Sequence, residues 1–370
     1  MNVSFFMPTQ VFLEENVVQK KADLVRAYGK KAMIVTGKYS AKRSGAYQDI
    51  TAVLDEAAIP FVLFDQVENN PSLETVLVGA ALAEEEAVDF IIGIGGGSPL
   101  DAAKAVAVLT VNGLNVEALL QNDFKEALPI LAIPTTAGTG SEVTPYSVLV
   151  KKDLETKVSF GNEWTFPKLA LIDPKYTEAA PLKTILFTAV DAFTHSFEGY
   201  LSKRATLLSD ALALSALAVF GQCLPALRNQ EFSAALREKL MYVSLIGGLV
   251  ITQTGVTSVH GMGYCYTYYQ GIPHGQANAF LLRSYLAYVD TYEHDKIQQA
   301  MKVMGFSDTA VFLEQIDALV GKPRKLTAEE IARYTTQTMI QTRSLANTAG
   351  EVTEEVVSAL WTTTNLELDS

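Results

Sequence analysis

The sequence is short of charge, of cysteine and of histidine. Only 19% of its 370 residues are charged, against 49% that are hydrophobic. That apolar fraction excludes an intrinsically disordered chain, and the length allows two domains with a sizeable core. Basic residues are the scarcer sign: 29 Lys and Arg stand against 41 Asp and Glu, for a formal net charge of −12. No block of lysine and arginine breaks that acidity, which excludes a nucleic-acid groove and a polybasic membrane patch. Two cysteines, Cys223 and Cys265, are too few for a disulfide framework and read as reduced thiols of a cytoplasmic protein. The opening Met1 to Glu14 lacks the basic region and long apolar run of a signal peptide. The most apolar long stretch, Ala211 to Leu227, carries Ser215 and Gln222 and falls short of a membrane span. Histidine occurs four times, so the place of each is informative.

The first half of the chain alternates apolar strands with amphipathic helices. Strands are expected at Lys31 to Thr36, Phe61 to Asp65, Val88 to Ile94, Leu128 to Ile133 and Leu169 to Ile172. Helices are expected at Tyr47 to Ala58, Pro71 to Glu86 and Pro99 to Leu109. This βαβ rhythm predicts an α/β domain with a parallel sheet. Val143 to Phe160 reads as a hairpin turning at Lys151-Lys152-Asp153. From Pro181 onward the periodicity is helical throughout. Ser209-Asp210 is expected to cap a long helix, Thr327 to Glu330 reads as a capping box, and Asn365 to Ser370 as a frayed polar end. The organisation predicted is an α/β domain over 1–180 and an all-helical domain over 181–370.

Two loops in the α/β half have the makings of an anion site. The third strand runs into Gly95-Gly96-Gly97-Ser98-Pro99, with Ser98 in an N-cap position and Pro99 at the first helical residue. Glycines let a phosphate approach bare backbone N–H groups at a helix N-terminus, where the partial charge is positive. The GxGxxG fingerprint is absent, because Ser98 takes its last glycine position. Pro134 to Glu142 follows the fourth strand and offers Thr135, Thr136, Thr139 and Ser141 at a strand's carboxyl end. Two such loops on neighbouring strands favour a phosphate-bearing cofactor.

The histidines gather in the helical half. Asp191 and His195 are four apart, which puts both on one face of a helix. His260 and His274 lie further on, each followed by glycine. Three imidazoles and a carboxylate suit Fe²⁺ or Zn²⁺. His294 sits among Glu293, Asp295 and Lys296 and reads as solvent-exposed.

At these residues the sequence resembles the iron-containing (group III) alcohol dehydrogenase family. The motifs that carry the likeness are Gly95 to Lys104, Pro134 to Glu142, Asp191-Ala-Phe-Thr-His195 with Glu198, His260-Gly-Met, and Pro273-His274-Gly275, in order along nearly the whole chain. The resemblance implies a dinucleotide-binding α/β domain and a helical domain with dehydroquinate-synthase-like architecture. Its implied metal ligands are Asp191, His195, His260 and His274. It puts the pyrophosphate on Gly95, Gly96, Gly97 and Ser98, Asp101 near the nicotinamide, and Thr135, Thr136 and Thr139 along the cofactor. Asn70 matches a turn beside the cofactor, and Lys157 a basic residue at its ribose and nicotinamide side. The implied reaction is reversible hydride transfer between NAD(P)(H) and a small alcohol or aldehyde, in a dimer-based homo-oligomer.

Two departures bear on function. Many members carry a second histidine four residues after the third ligand, often assigned to proton relay; here that residue is Tyr264, a candidate catalytic residue whose hydroxyl can still donate a hydrogen bond. NAD-preferring members often carry an acidic residue just after the first strand of the motif. Here Thr36 is followed by Gly37, with Lys38, Ser40, Lys42 and Arg43 close behind, which predicts NADP(H) over NAD(H). Phe160, Phe197, Tyr264 and Tyr268 are candidate substrate-lining residues, and Gly261, Gly263 and Gly275 are places for close approach to the metal. A dehydroquinate-synthase-like cyclase or lyase is one alternative, but it needs several basic residues around the metal, and Lys203 and Arg204 are the nearest. A catalytically silent scaffold is another, favoured by Tyr264 and opposed by the four ligand positions.

Overall fold

The computed structural model describes residues 3–113 and 115–366. By their contacts these fall into two compact units, residues 7–182 and residues 183–366 together with 3–6.

The strands of the first unit are, in chain order, β1 (Gln10–Leu13), β2 (Ala32–Thr36), β3 (Phe61–Phe64), β4 (Phe90–Gly95), β5 (Ile130–Pro134), β6 (Ser147–Lys151), β7 (Thr156–Phe160) and β8 (Leu169–Ile172). Six of them make one sheet in the order β1-β8-β5-β4-β2-β3, with every pairing parallel. β6 and β7 form the antiparallel hairpin. The central strands read as unbroken apolar runs because both faces of the sheet are covered. On one face Met33, Val35 and Ile91 pack with Val76 and Val106; on the other Ala32, Ile34 and Ile92 pack with Ile50 and Leu54. β1 was not expected: it is a four-residue edge strand, too short and too exposed to show an alternating pattern.

The strand order reverses between β2 and β4. Ligands of doubly wound sheets bind beyond the carboxyl ends of the strands at such a switch point. Those ends are Thr36 and Gly95, and Thr36 lies directly opposite Ile94 in the register.

In the second unit the described residues form helices and no strand. The helix Leu207–Asn229 starts three residues earlier than expected. Thr206 caps it, accepting the Ser209 N–H at 3.3 Å while Ser209 Oγ accepts the Thr206 N–H at 2.8 Å. Exposed Leu207 and Leu208 disguise that first turn in the sequence. Contrary to expectation, this helix is long and apolar enough to cross a membrane. Its residues Ala213, Leu217, Phe220 and Leu224 are buried, and it packs on the helices Ala234–Thr254 and Leu282–Met304. The capping box at Thr327 and Glu330 forms as expected. At the start of the segment expected to fray, Asn365 exchanges two hydrogen bonds with the backbone of Leu326, at 2.6 and 3.1 Å. Residues 367–370, and Met1 and Asn2 of the opening segment, lie outside the described residues.

Candidate metal centre and cofactor loops

The glycine turn and the threonine loop are packed against each other. Thr135 donates its N–H to Gly95 O at 2.8 Å. A Cβ on Gly97 would lie 2.7 Å from Thr139 Cγ2, and one on Gly96 would lie 3.0 Å from Thr136 Oγ1. Glycine allows that approach without displacing the threonine side chains, so Gly95, Gly96 and Gly97 meet Thr135, Thr136 and Thr139 in one place. The helix Gly97–Val111 begins there, with its first N–H groups unpaired within the helix. Ser98 does not cap it, because the third glycine is already helical and Gly96 is the N-cap. The Ser98 hydroxyl instead accepts the N–H of Asn70, which stands in the left-handed region at φ 57°.

Gly37 ends β2, and a Cβ there would lie 3.3 Å from Val67 O. Ser40 is exposed behind it. The basic run is only partly available to an anion. Lys42 Nζ pairs with Asp65 Oδ2 at 2.9 Å, while Lys38 and Arg43 both lie over the exposed ring of Tyr39, at 5.7 and 5.3 Å. Asp65 follows β3, so its approach to Lys42 is a product of the sheet and invisible to spacing.

Asp101 is tied down on both oxygens. Oδ1 accepts from Ser141 Oγ at 2.7 Å and Oδ2 from the Val148 N–H at 3.0 Å. Burial pushes its carboxyl above the usual range, against the pull of Lys104, these hydrogen bonds and Lys157. Lys157 is itself buried, on β7. Lys104, one turn along from Asp101, is fully buried and donates to Ser141 Oγ at 2.6 Å and Tyr146 O at 2.7 Å. Burial lowers its ammonium to about 8 and raises the neighbouring Glu142 carboxyl to about 7. Lys104, Ser141 and Glu142 thus stitch the glycine-loop helix to the loop after β5. A lysine three residues after an aspartate in an apolar helix was the sequence signal for this network.

The second site is built from three helices. Leu182–Leu201 presents Asp191, His195 and Glu198 at positions i, i+4 and i+7, all on one buried face. Ser258–Gln270 brings His260 in its first turn, and His274 opens the helix His274–Ala279. Asp191, His195 and His260 are each no more than 5% exposed. One ligand atom from each of these three lies within 4.8 Å of the others. The rings of His195 and His260 stack at 4.7 Å, and His274 meets His260 edge-on at 5.0 Å.

Glu198 decides how His260 is used. Its Oε2 accepts from the N–H and the hydroxyl of Thr257, at 2.8 and 2.6 Å, at the start of the His260 helix. Its Oε1 meets His260 Nδ1. A carboxylate only accepts, so Nδ1 carries a proton, and in the neutral ring Nε2 keeps its lone pair. That Nε2 lies 3.7 Å from Asp191 Oδ1. Both atoms are buried acceptors that converge with His195, an arrangement in which each can serve as a metal ligand. The donor set, two imidazoles and a carboxylate with His274 adjacent, is therefore fitted to a divalent metal, and the Glu198–His260 pair is the carboxylate–histidine support such ligands use. Glu198 stood in the motif without a role; its spacing, three beyond His195 and seven beyond Asp191, was the available signal.

The remaining candidates separate clearly. Tyr264 stacks on His274 at 5.5 Å, beside the candidate metal centre. Tyr268 meets Tyr269 edge-on at 5.1 Å. Phe160 and Phe197 are core residues and not substrate lining: Phe160 packs on Phe124 in the α/β core, and Phe197 stacks on Phe193 at 5.2 Å. Gly275 lies against Phe187 O and Asp191 Cβ, whereas Gly261 lies against Ser344, away from the ligands. His294 is exposed and pairs with Asp290 at 2.9 Å, as expected. Lys203 donates to Gly350 O.

Known proteins are similar to this chain in sequence and in fold. The chain is 32% identical over 289 residues to lactaldehyde reductase of Escherichia coli (strain K12), covering 77% of this chain and 75% of that protein. It is 30% identical over 334 residues to the NADPH-dependent butanol dehydrogenase of Clostridium saccharobutylicum, covering 87% and 83%. The crystal structure of an iron-containing alcohol dehydrogenase from Thermotoga maritima superposes with a TM-score of 0.91 at 36% identity, covering 98% of this chain and 99% of that one. The model of the family described as iron-containing alcohol dehydrogenase matches residues 8–174, and that of the family's C-terminal region matches residues 185–361. With both halves matched, and in this order, the chain belongs to the iron-containing alcohol dehydrogenase family.

Proposed function

We propose that this protein is a metal-dependent alcohol dehydrogenase that uses NADP(H) in preference to NAD(H) and interconverts a small alcohol and its aldehyde. Asp191, His195, His260 and His274 would hold Fe²⁺ or Zn²⁺. The observation that carries the reading is the buried Asp191, His195 and His260 cluster, with His260 turned to ligand by Glu198. When bound, the ion supplies Lewis-acid polarisation of a substrate oxygen, and the nicotinamide supplies the hydride donor or acceptor.

The chain's own residues do the positioning. N–H groups at Gly96, Gly97 and Ser98 receive the pyrophosphate at the helix N-terminus, with Gly95 and Asn70 shaping the turn and Thr135, Thr136 and Thr139 lining it. Asp101, held by Ser141 and Val148, and Lys157 stand on the nicotinamide side. Tyr264 holds a hydroxyl proton beside His274 and serves as the donor to the substrate oxygen. Gly37 leaves room for a 2′-phosphate, Ser40 offers it a hydroxyl, and Lys38 and Arg43 attract it. A small alcohol or aldehyde fits the names of the relatives, lactaldehyde reductase and butanol dehydrogenase. Two buried free thiols, Cys223 and Cys265, suit the cytoplasm, and the assembly proposed is a dimer-based homo-oligomer.

The test is aldehyde reduction with NADPH and with NADH on one preparation, with and without a chelator. Chelator-sensitive turnover with a higher kcat/KM for NADPH supports the reading. Equal kcat/KM for the two cofactors removes the NADP(H) preference, and chelator-insensitive turnover removes the metal.

A further inference from the structure

Asn278 is fully buried, four residues after His274 on the helix His274–Ala279. Its Nδ2 lies 3.1 Å from Asp191 Oδ1, 3.2 Å from His260 Nε2 and 3.4 Å from His274 Nε2. One side-chain amide thus touches three of the four proposed ligand residues, which come from three different helices. Its other end is as informative. Asn278 Oδ1 is buried and has no hydrogen-bond partner among the described residues. It lies over Gly263, where a Cβ would come within 2.1 Å of it.

The orientation of the amide follows from its neighbours. An ionised Asp191 carboxylate only accepts, so the amide must turn its NH₂ to it, and the carbonyl is left against the bare backbone of Gly263. Leaving a buried carbonyl unsatisfied is costly and persists only where the partner contact compensates. Two hydrogens serve three acceptors, so one is always in surplus at this site. The two ring nitrogens are the ones an ion takes over, and the bond to Asp191 is the one compatible with a loaded site.

We propose that Asn278 is a positioning residue of the metal centre. It holds the Asp191 carboxylate in its ligating orientation, and Gly263 is the empty seat that lets the amide lie there. The proposal rests on the metal-centre reading above. It predicts that the affinity of the site for a metal depends on a side chain that is not itself a ligand, by the order of magnitude typical of outer partners of metal ligands.

The test is Zn²⁺ binding to the metal-stripped full chain, measured by competition with a chromophoric chelator. Asn278→Leu keeps the side chain's bulk and removes its donors; Gly263→Ala keeps Asn278 and pushes it out of place. Both variants are expected to bind Zn²⁺ at least about 10-fold more weakly than the parent. Parent-like or tighter binding by Asn278→Leu overturns the proposal. Should that variant fail to fold in circular dichroism, the Gly263→Ala value decides in the same way. A parent chain that binds no Zn²⁺, where His260→Ala is no weaker, overturns the metal-centre reading itself and takes this proposal with it.

Discussion

Glu198 meets His260 Nδ1 with one carboxylate oxygen and takes the N–H and hydroxyl of Thr257 with the other. One side chain therefore fixes the protonation pattern of an imidazole and anchors the start of the helix that carries it, where negative charge is favoured. On the proposed metal-centre reading, this contact would couple folding to metal binding.

Glu198→Ala is accordingly expected to do two things. It strips the support from His260 and weakens metal binding about 10- to 100-fold. It also leaves the Thr257 N–H and hydroxyl without their buried acceptor, at a cost of about 3 kcal/mol in the metal-free chain. Glu198→Gln keeps an acceptor oxygen and is expected to fall between Ala and the parent. Zn²⁺ competition and urea unfolding of the same preparations separate the two effects.

The buried carboxyl and ammonium behind the cofactor loops set a pH dependence. Burial raises Glu142 from 4.5 to about 7, so its contribution to stability is complete below about 4.5 and is lost as pH rises through about 7. Burial lowers Lys104 from 10.5 to about 8, so its contribution is complete above about 10.5 and is lost as pH falls through about 8. Stability of the metal-free chain should therefore dip near pH 7 to 8. Glu142→Gln is expected to flatten the fall between pH 4.5 and 7, read from urea midpoints across that range. An unchanged slope in the variant would assign it to other groups.

Cofactor choice should respond to two single changes, one after β2 and one after β3. Gly37→Asp brings a carboxylate to the proposed 2′-phosphate position and is expected to lower kcat/KM for NADPH at least about 10-fold, with little change for NADH. Asp65→Asn releases Lys42 from its ion pair and is expected to raise the NADPH:NADH ratio. Steady-state kinetics with both cofactors read each outcome.

Tyr264→Phe removes the hydroxyl beside His274 and keeps the ring that stacks on it. A role in proton donation predicts a fall in kcat of about 100-fold with the cofactor KM unchanged. A parent-like kcat would take the tyrosine out of the chemistry.

Much of this was legible in the sequence, for identifiable reasons. The strands that pair on both sides are continuous apolar runs, and Asp191 and His195 declare a helical face by spacing alone. What spacing does not carry is contact between segments far apart. Asp65 reaching Lys42, Glu198 reaching His260 and Asn278 reaching Asp191 are separated by 23, 62 and 87 residues. Local misreadings came from competing signals. Ser98 has the chemistry of a cap, yet the glycine before it is already helical, and Ser209 is the third residue of a box whose cap is Thr206. Phe160 and Phe197 were pocket candidates whose commoner role, taken singly, is in the core, and the core is where they lie, because aromatics serve cores and pockets alike.

The central claim is a divalent metal centre built on Asp191, His195, His260 and His274. Metal content and NADPH-dependent aldehyde reduction, measured on one preparation before and after chelation and after adding back Fe²⁺ or Zn²⁺, test it most directly. The account predicts about one ion per chain, activity lost with the ion and regained with it, and neither in His260→Ala. Full activity in metal-free protein, or a His260→Ala variant that keeps both ion and turnover, would contradict it.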